Sequence, residues 1–272
     1  MDQYRVFGNP IQHSRSPFIH QSFAKSTKQI LDYQTQLVEL DDFTRAITEF
    51  INQGGKGANV TVPFKEQALE ISDELSERAR LAGAVNTLTF KQGKIYGDNT
   101  DGEGLVQDLL RNKVLLENSR MLILGAGGAV KGVILPLLAQ APKSIAIANR
   151  TVSKAELLCQ KFNDARLTSC NFSATEKQSF DIIINATSAS LSGDIPPIPS
   201  SLINSATACY DMVYGKDLTP FLLWTKKQGA TNIFDGLGML VGQAAISFSI
   251  WRGVKPEVET VIEQLKKSLA QE

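Results

Sequence analysis

The sequence predicts an α/β protein of two domains, the second built on a doubly wound parallel sheet. Three observations predict it. Strand-like apolar runs alternate with amphipathic helical stretches along the 272-residue chain. The alternation restarts after "GDNTDGEGLVQDLLRN", residues 97–112. Beyond that point "RMLIL", "SIAIA", "DIIIN" and "ACYDMV" are apolar at consecutive positions. A strand tolerates that only when both of its faces are covered, as in a parallel sheet.

The elements follow in order. "YRVFG" (4–8) reads as a strand closed by Gly8, and "NPIQHSRSPF" (9–18) as a loop. Ser16 before Pro17 makes an N-cap and first-turn pair for a helix through Phe18, Ile19 and Phe23. "DYQTQLVEL" alternates at Tyr33, Thr35 and Leu37. Asp41 or Asp42 then opens a helix with Phe43, Ala46, Ile47, Phe50 and Ile51 on one face, and "GGKG" ends it. A strand is expected over 58–62, with Val60 and Val62 on one face and Asn59 and Thr61 on the other. Pro63 stops it. Helices start near Phe64 and at Ser76, and "VNTLTFKQGKIYG" reads as a hairpin. Thr100 or Asp101 caps a helix leading into the second domain. There, four apolar strands are separated by helical stretches. The last third, "GLGMLVGQAAISFSIWRGV" and "PEVETVIEQLKKSL", is helical and returns to the first domain. The expected domains are 1–101, joined by 238–272, and 102–237.

Composition excludes several classes of function. Lys plus Arg equals Asp plus Glu, 28 each, so no charge surplus draws the chain to nucleic acid or an anionic membrane. Three cysteines without CxxC spacing and two histidines do not make a metal cluster. An odd number of unpatterned cysteines suits a reducing compartment. "MDQYRVFGNP" lacks a basic-then-apolar signal pattern, and no apolar run has the length of a membrane span. A cytoplasmic protein, monomer or homodimer, acting on a small molecule is expected.

"LILGAGGAV" sets Gly125 and Gly127 between a strand and a helix start. Missing side chains let backbone approach a pyrophosphate, and the helix N-terminus supplies amide donors. The pattern is that of a Rossmann-type dinucleotide site, with Val130 where the third glycine would stand. The next strand sharpens it. A site for NAD carries an acid there to hold the ribose hydroxyls. Here "IAIANRTVSK" ends in Asn149 and Arg150, with Thr151 and Lys154 behind. An acid would repel a 2′-phosphate, whereas an arginine clamps one, so NADP is the expected cofactor.

Six further positions are polar where a core needs nothing polar. They are Lys65 just past a buried strand, Ser14 and Ser16 in a loop, Asn86 at a strand start, Asp101 at a helix start and Gln243 inside an apolar helix. Taken singly, each has an ordinary structural explanation as a cap, a turn former or a solvated side chain.

Together with the glycine loop they form a pattern. "VFGNPIQHSRSP", "GANVTVPFKE", "LAGAVNTL", "GDNTDG", "GAGGAVKG", "NRTVSK", "NATS", "YDMVY" and "DGLGMLVGQAA" follow one another over essentially the whole chain. In that order they resemble the shikimate dehydrogenases. The resemblance implies an N-terminal substrate domain, a C-terminal NADP domain and a cleft between them. It implies reversible reduction of 3-dehydroshikimate to shikimate with NADPH, on the route to chorismate and the aromatic amino acids. By position, Lys65 matches the acid/base, partnered by Asp101. Ser14 and Ser16 match the serines on the substrate carboxylate. Thr61, Asn86, Asp101, Tyr214 and Gln243 match residues around the ring hydroxyls. Gly125, Ala126, Gly127, Gly128 and Ala129 match the pyrophosphate loop. Asn149, Arg150, Thr151 and Lys154 match the 2′-phosphate end, Met212 and Gly236 the nicotinamide lining, and Glu77 a further cofactor contact. No metal is implied. Two positions depart from the pattern: Val130 stands where Ser or Thr is usual, and Ser190 where "NATSxG" has glycine. Two other readings compete. One is a broader quinate/shikimate dehydrogenase, which would carry an acid after the second strand of the NADP domain. The other is a non-catalytic paralogue that binds shikimate or NADP, which would lack Lys65 or Asp101.

Overall fold

The computed structural model describes residues 1–271, and the chain divides into two compact units. The first comprises Met1–Gly104 and Val241–Leu265; the second comprises Leu105–Leu240 and the segment from Lys266 on.

Ten strands and helices of the first unit precede the crossing. They are β1 (Asp2–Gly8), α1 (Ser16–Ser26), β2 (Leu31–Leu37), α2 (Phe43–Asn52), β3 (Gly57–Val60), α3 (Lys65–Glu70), β4 (Glu74–Leu75), α4 (Glu77–Ala82), β5 (Thr87–Lys91) and β6 (Lys94–Asp98). Helix α5 (Asp101–Arg111) then carries the chain into the second unit. The first sheet has the order β2-β1-β3-β5-β6-β4. Strands β1, β2 and β3 are parallel; β5 is antiparallel to both β3 and β6. One end of this sheet therefore receives the C-termini of β1, β3 and β6 and the N-terminus of β5. Its core sets Phe7, Phe43, Ile47, Phe50 and Phe64 against Val60, Val85 and Leu88.

Two local expectations need correction. Ser16 is the first residue of α1 and not its cap. Arg15 holds the cap position without a side-chain capping hydrogen bond to the helix, and Ser14 Oγ accepts from the Ser16 amide at 3.3 Å. Strand β3 ends at Val60. Past it the chain reverses, Phe64 N donating to Thr61 O at 3.0 Å, so Val62 is 66% exposed while Val60 is buried. Asn59, by contrast, is buried and lies on β3.

The second unit continues with β7 (Arg120–Leu124), α6 (Gly128–Leu138), β8 (Ser144–Ala148), α7 (Val152–Phe162), β9 (Leu167–Cys170), β10 (Ile182–Asn185), β11 (Ala208–Asp211), α8 (Pro220–Lys227) and β12 (Asn232–Phe234). All its strand pairs are parallel, in the order β12-β11-β10-β7-β8-β9. Numbered from β7 this is the 3-2-1-4-5-6 order of the doubly wound dinucleotide fold. The consecutive apolar runs are explained by burial on both faces. Met121 and Ile123 of β7 enter one core layer, Leu122 and Leu124 the other. The sequence pattern shows four of these six strands. The two it misses, β9 and β12, are the sheet edges; they are short, and "LTSC" and "NIF" carry no long apolar run.

Helix α9 (Leu237–Arg252) begins in the second unit and ends in the first; α10 (Glu259–Gln271) follows. The later part of α9 packs on the first sheet. Trp251 stacks on Tyr4 at 4.7 Å and donates to Leu88 O at 3.0 Å. Gly57 makes this possible, because a Cβ there would lie 2.5 Å from the indole nitrogen.

Candidate active site

In the first unit, sheet topology gathers the polar residues. Ser14 and Ser16 follow β1; Thr61 and Lys65 follow β3; Asn86 precedes β5; Asp101 follows β6. All six emerge at the same end of the sheet. Gly8 admits Thr61, whose Cγ2 would be 2.5 Å from a Cβ at that position. Lys65 is the first residue of α3, and its carbonyl accepts from Val85 N at 2.9 Å, beside Asn86.

Lys65 Nζ donates to Asp101 Oδ2 at 2.6 Å, with the two side chains 30% and 18% exposed. The pair is reachable yet partly shielded, which strengthens its electrostatics relative to a surface pair. Asn86 Nδ2 donates to the other carboxylate oxygen, Oδ1, at 2.8 Å, and faces Gln243 Oε1 at 3.4 Å. Gln243 comes this close because α9 meets α5 backbone to backbone: a Cβ on Gly242 would lie 3.0 Å from Gly104 O.

The loop carrying Asp101 is held from behind. Asp98 accepts from Arg78 Nε at 2.7 Å and Nη2 at 2.8 Å, and from Ser76 Oγ at 2.6 Å. Burial pushes the Asp98 carboxyl up, but these hydrogen bonds and the guanidinium outweigh it and leave the group below the usual carboxylate range. Asn99 links onward, donating to Ala84 O at 3.0 Å and accepting from Asp101 N at 3.2 Å.

In the second unit a cavity of ≈ 700 Å³ lies past the ends of β7, β8 and β10. Its lining includes Gly125 to Ala129, Asn149, Arg150, Thr151 and Lys154. Gly125 has φ +111°, in the region that favours glycine, and a Cβ there would sit 3.2 Å from Thr187 Cγ2 and 3.3 Å from Ala186 O. A Cβ on Gly127 or Gly128 would meet nothing within 4 Å, so bare backbone faces the open space at the start of α6. That arrangement suits a pyrophosphate. Asn149 Nδ2 donates to Thr151 O at 2.8 Å, shaping the turn that carries the exposed Arg150. No carboxylate stands at the end of β8, and Asp194 on the far loop is the one acid among the described lining residues. The donor set and charge fit a dinucleotide bearing a 2′-phosphate.

The remaining expected residues fall elsewhere. Met212 and Gly236 are neighbours, a Cβ on Gly236 lying 2.1 Å from Met212 O, but neither lines this cavity. Tyr214 is half-buried in the second unit after β11, and Glu77 is exposed at the start of α4 in the first. Val130 is fully buried in the core and absent from the lining. Ser190 is buried too. It accepts from Asn185 Nδ2 at 3.3 Å and donates to Asp211 Oδ2 at 2.6 Å. Sequence reasoning missed Phe172, Ser192 and the 194–197 segment of the cavity wall. Phe172 follows the unrecognised edge strand β9, and the others lie in a loop without a periodic signal. Among the described residues, no group of His, Cys, Asp or Glu is arranged to hold a metal, and no helix is long and apolar enough to cross a membrane.

The doubly wound sheet and its glycine-loop cavity define a Rossmann-type dinucleotide-binding protein, here joined to a second α/β unit with its own polar site. Comparison with known proteins narrows the class. Residues 6–88 match the shikimate dehydrogenase substrate binding domain, 108–192 the shikimate/quinate 5-dehydrogenase family and 236–266 the shikimate 5′-dehydrogenase C-terminal domain. The chain is 67% identical over 268 residues to the shikimate dehydrogenase (NADP(+)) of Colwellia psychrerythraea, covering 98% of each. Among solved structures, an Ael1 enzyme from Pseudomonas putida superposes with TM-score 0.95 at 47% identity, over 97% of this chain and 98% of that one. The shikimate 5-dehydrogenase of Thermus thermophilus in complex with NADP(H) and shikimate gives TM-score 0.88 at 30% identity, over 99% and 100%. The chain belongs to the shikimate dehydrogenase family.

Proposed function

We propose that this protein catalyses the reversible NADPH-dependent reduction of 3-dehydroshikimate to shikimate. The observation that carries the proposal is the Lys65–Asp101–Asn86 constellation at the strand ends of the first unit. It supplies a proton handler where an alcohol and a ketone interconvert, in a family whose members include enzymes named for that reaction. When bound, the cofactor supplies or accepts the hydride.

The chain's own residues do the rest. In reduction Lys65 Nζ donates a proton to the nascent alkoxide; in oxidation it takes one from the hydroxyl. Asp101 Oδ2 holds the ammonium in place, and Asn86 holds the carboxylate by its other oxygen, so neither swings away between turnovers. Ser14 and Ser16 take the substrate carboxylate by hydroxyl donors. Thr61, Asn86, Gln243 and Tyr214 serve the ring hydroxyls. A site that reads hydroxyls by hydrogen bonds rejects an analogue lacking one, by ~10⁴-fold in favourable cases, because its own polar groups are then left unpaired. Residues Gly125 to Ala129 take the pyrophosphate, Arg150 with Asn149, Thr151 and Lys154 the 2′-phosphate, and Met212 and Gly236 the nicotinamide end, with Glu77 as a further contact.

Absorbance in the nicotinamide band tests this directly. Shikimate plus NADP should give NADPH, with far slower change when NAD or quinate is substituted. Equal rates with quinate would make the enzyme a broader quinate/shikimate dehydrogenase. No change with any pair would make it a binding protein.

A further inference from the structure

Beneath Asn86 lies a layer of polar side chains that no substrate can touch. Thr87, Thr100 and Ser247 are 0% exposed and Asn59 is 6% exposed. Such groups are tolerated in a core only when bonded, and apolar residues of the same shape would fill the space without that requirement. Their bonds have a direction. Thr100 N can only donate, and it donates to Asn86 Oδ1 at 2.9 Å. That decides which way the Asn86 amide faces: its NH₂ points at Asp101 Oδ1.

Asn86 Oδ1 has a second donor in the Thr87 hydroxyl, at 2.8 Å. Thr87 Oγ1 in turn lies 2.7 Å from Ser247 Oγ, on α9. These short contacts form a relay in which Ser247 donates to Thr87 and Thr87 to Asn86. The competing acceptors for Ser247, the Gln243 carbonyl at 3.1 Å and Thr100 Oγ1 at 3.3 Å, are both farther away. Asn59 backs the relay, its Nδ2 lying 3.2 Å from Thr87 Oγ1 and 3.1 Å from both Ser247 Oγ and the Asn86 carbonyl. Asn59 is itself oriented, because Tyr33 donates to its Oδ1 at 2.7 Å. Burial raises the Tyr33 phenol well above its ordinary range, so it stays a donor.

We propose that Thr87 is a positioning residue for the reaction. Its hydroxyl, supplied by Ser247, holds the Asn86 amide so that Asp101 Oδ1 is occupied and Oδ2 is left for Lys65. The proposal rests on the reading of Lys65 and Asp101 as the proton-handling pair. The same relay ties α9, which carries Gln243, to the strand that follows Asn86.

The test compares Thr87→Val with Thr87→Ser in the full-length protein. Valine keeps the shape and loses the hydroxyl; serine keeps the hydroxyl and loses a methyl. Thr87→Val should lower kcat/KM for shikimate about 3- to 10-fold, the worth of one neutral hydrogen bond. Thr87→Ser should stay within about twofold of the parent while its Tm falls, because the lost methyl leaves a small void. NADP affinity, read from protein fluorescence without turnover, should be the same in all three. A serine variant as impaired as the valine variant, or a valine variant with full kcat/KM, would overturn the proposal. Lys65→Ala run alongside separates the two layers. Lost turnover there with full activity in Thr87→Val removes Thr87 alone, whereas retained turnover in Lys65→Ala removes the pair and this proposal with it.

Discussion

The two sites of this protein are built from opposite materials. In the first unit the polar site is made of side chains, and Asp101 is bonded through its two oxygens to both Lys65 and Asn86. In the second the glycine loop presents bare backbone and the start of a helix to an open cavity, with exposed Arg150 and Lys154 at its rim. Under the proposed function, the difference follows from what each would recognise. A pyrophosphate is a diffuse anion, and amide donors on a rigid turn serve it without any particular side chain. A ring with several hydroxyls must be told from its analogues, and only side chains of set orientation can do that. Interlocked side chains make every member matter, whereas backbone sites spread the work.

The first way to break this comparison is to remove the side chain at its centre. Lys65→Ala should lower turnover about 10²–10⁴-fold, the scale of a lost general acid/base. Affinity for NADP, measured by fluorescence, should not move. Near-normal turnover would take Lys65 out of the chemistry and leave the first unit with a structural ion pair.

A smaller effect comes from the exception to full bonding in the first unit. His20 is fully buried and stacked on Tyr33 at 4.2 Å, and neither ring nitrogen has a hydrogen-bond partner. Burial pushes the imidazole down to about 3; Asn59 opposes this weakly without reaching hydrogen-bond geometry. The unfolded chain therefore takes up a proton first as pH falls. The stability conferred by the neutral ring is complete above the unfolded value near 6.5 and is lost between there and about 3. Urea unfolding should lose up to ~1.4 kcal/mol per pH unit in that window relative to His20→Phe, which keeps the stack and cannot titrate. Parallel pH dependences in the two proteins would show that His20 is protonated at no cost, and hence that it does have a partner.

The smallest effect probes the rim of the backbone site. Arg150→Ala should raise the KM for NADP about 10-fold and leave that for NAD unaltered, since Lys154 takes over part of the contact. Adding Asn149→Asp should move preference further toward NAD, because a carboxylate repels a phosphate and accepts from free ribose hydroxyls. An unchanged NADP/NAD ratio in Arg150→Ala would falsify its assignment as the phosphate clamp. A hundredfold loss would erase the contrast between the two sites, for then one side chain would dominate both.

Much of this organisation is legible in the chain. The buried strands of the second unit announce themselves because apolar residues stand at consecutive positions. Gly125 and Asn149-Arg150 announce the cofactor site because strand, loop and helix start are contiguous. The edge strands β9 and β12 stay silent, since half-exposed strands need no apolar run. Phe172 stays silent with them, as one aromatic in a polar stretch. Val62 and Ser16 mislead, because alternation and a Ser-Pro pair are local signals, and a turn at Thr61 and a helix starting one residue early override them.

What local periodicity settles, then, is which segments are strands and helices, and which short loops carry backbone chemistry. Periods of 2 and 3.6 residues are properties of adjacent positions. The first unit's site is of another kind. Asn86 and Asp101 are 15 residues apart, Lys65 and Asp101 36, and Asn86 and Gln243 157. Sequence motifs name these residues through family resemblance. Their hydrogen bonds exist because β5 runs against β3 and β6, which brings a strand start and two strand ends to one edge, and because Gly242 lets α9 meet α5 at van der Waals distance. Strand direction and helix approach are decided by the packing of the whole unit, and that is why no local pattern joins Lys65 to Asp101 and only the family resemblance paired them.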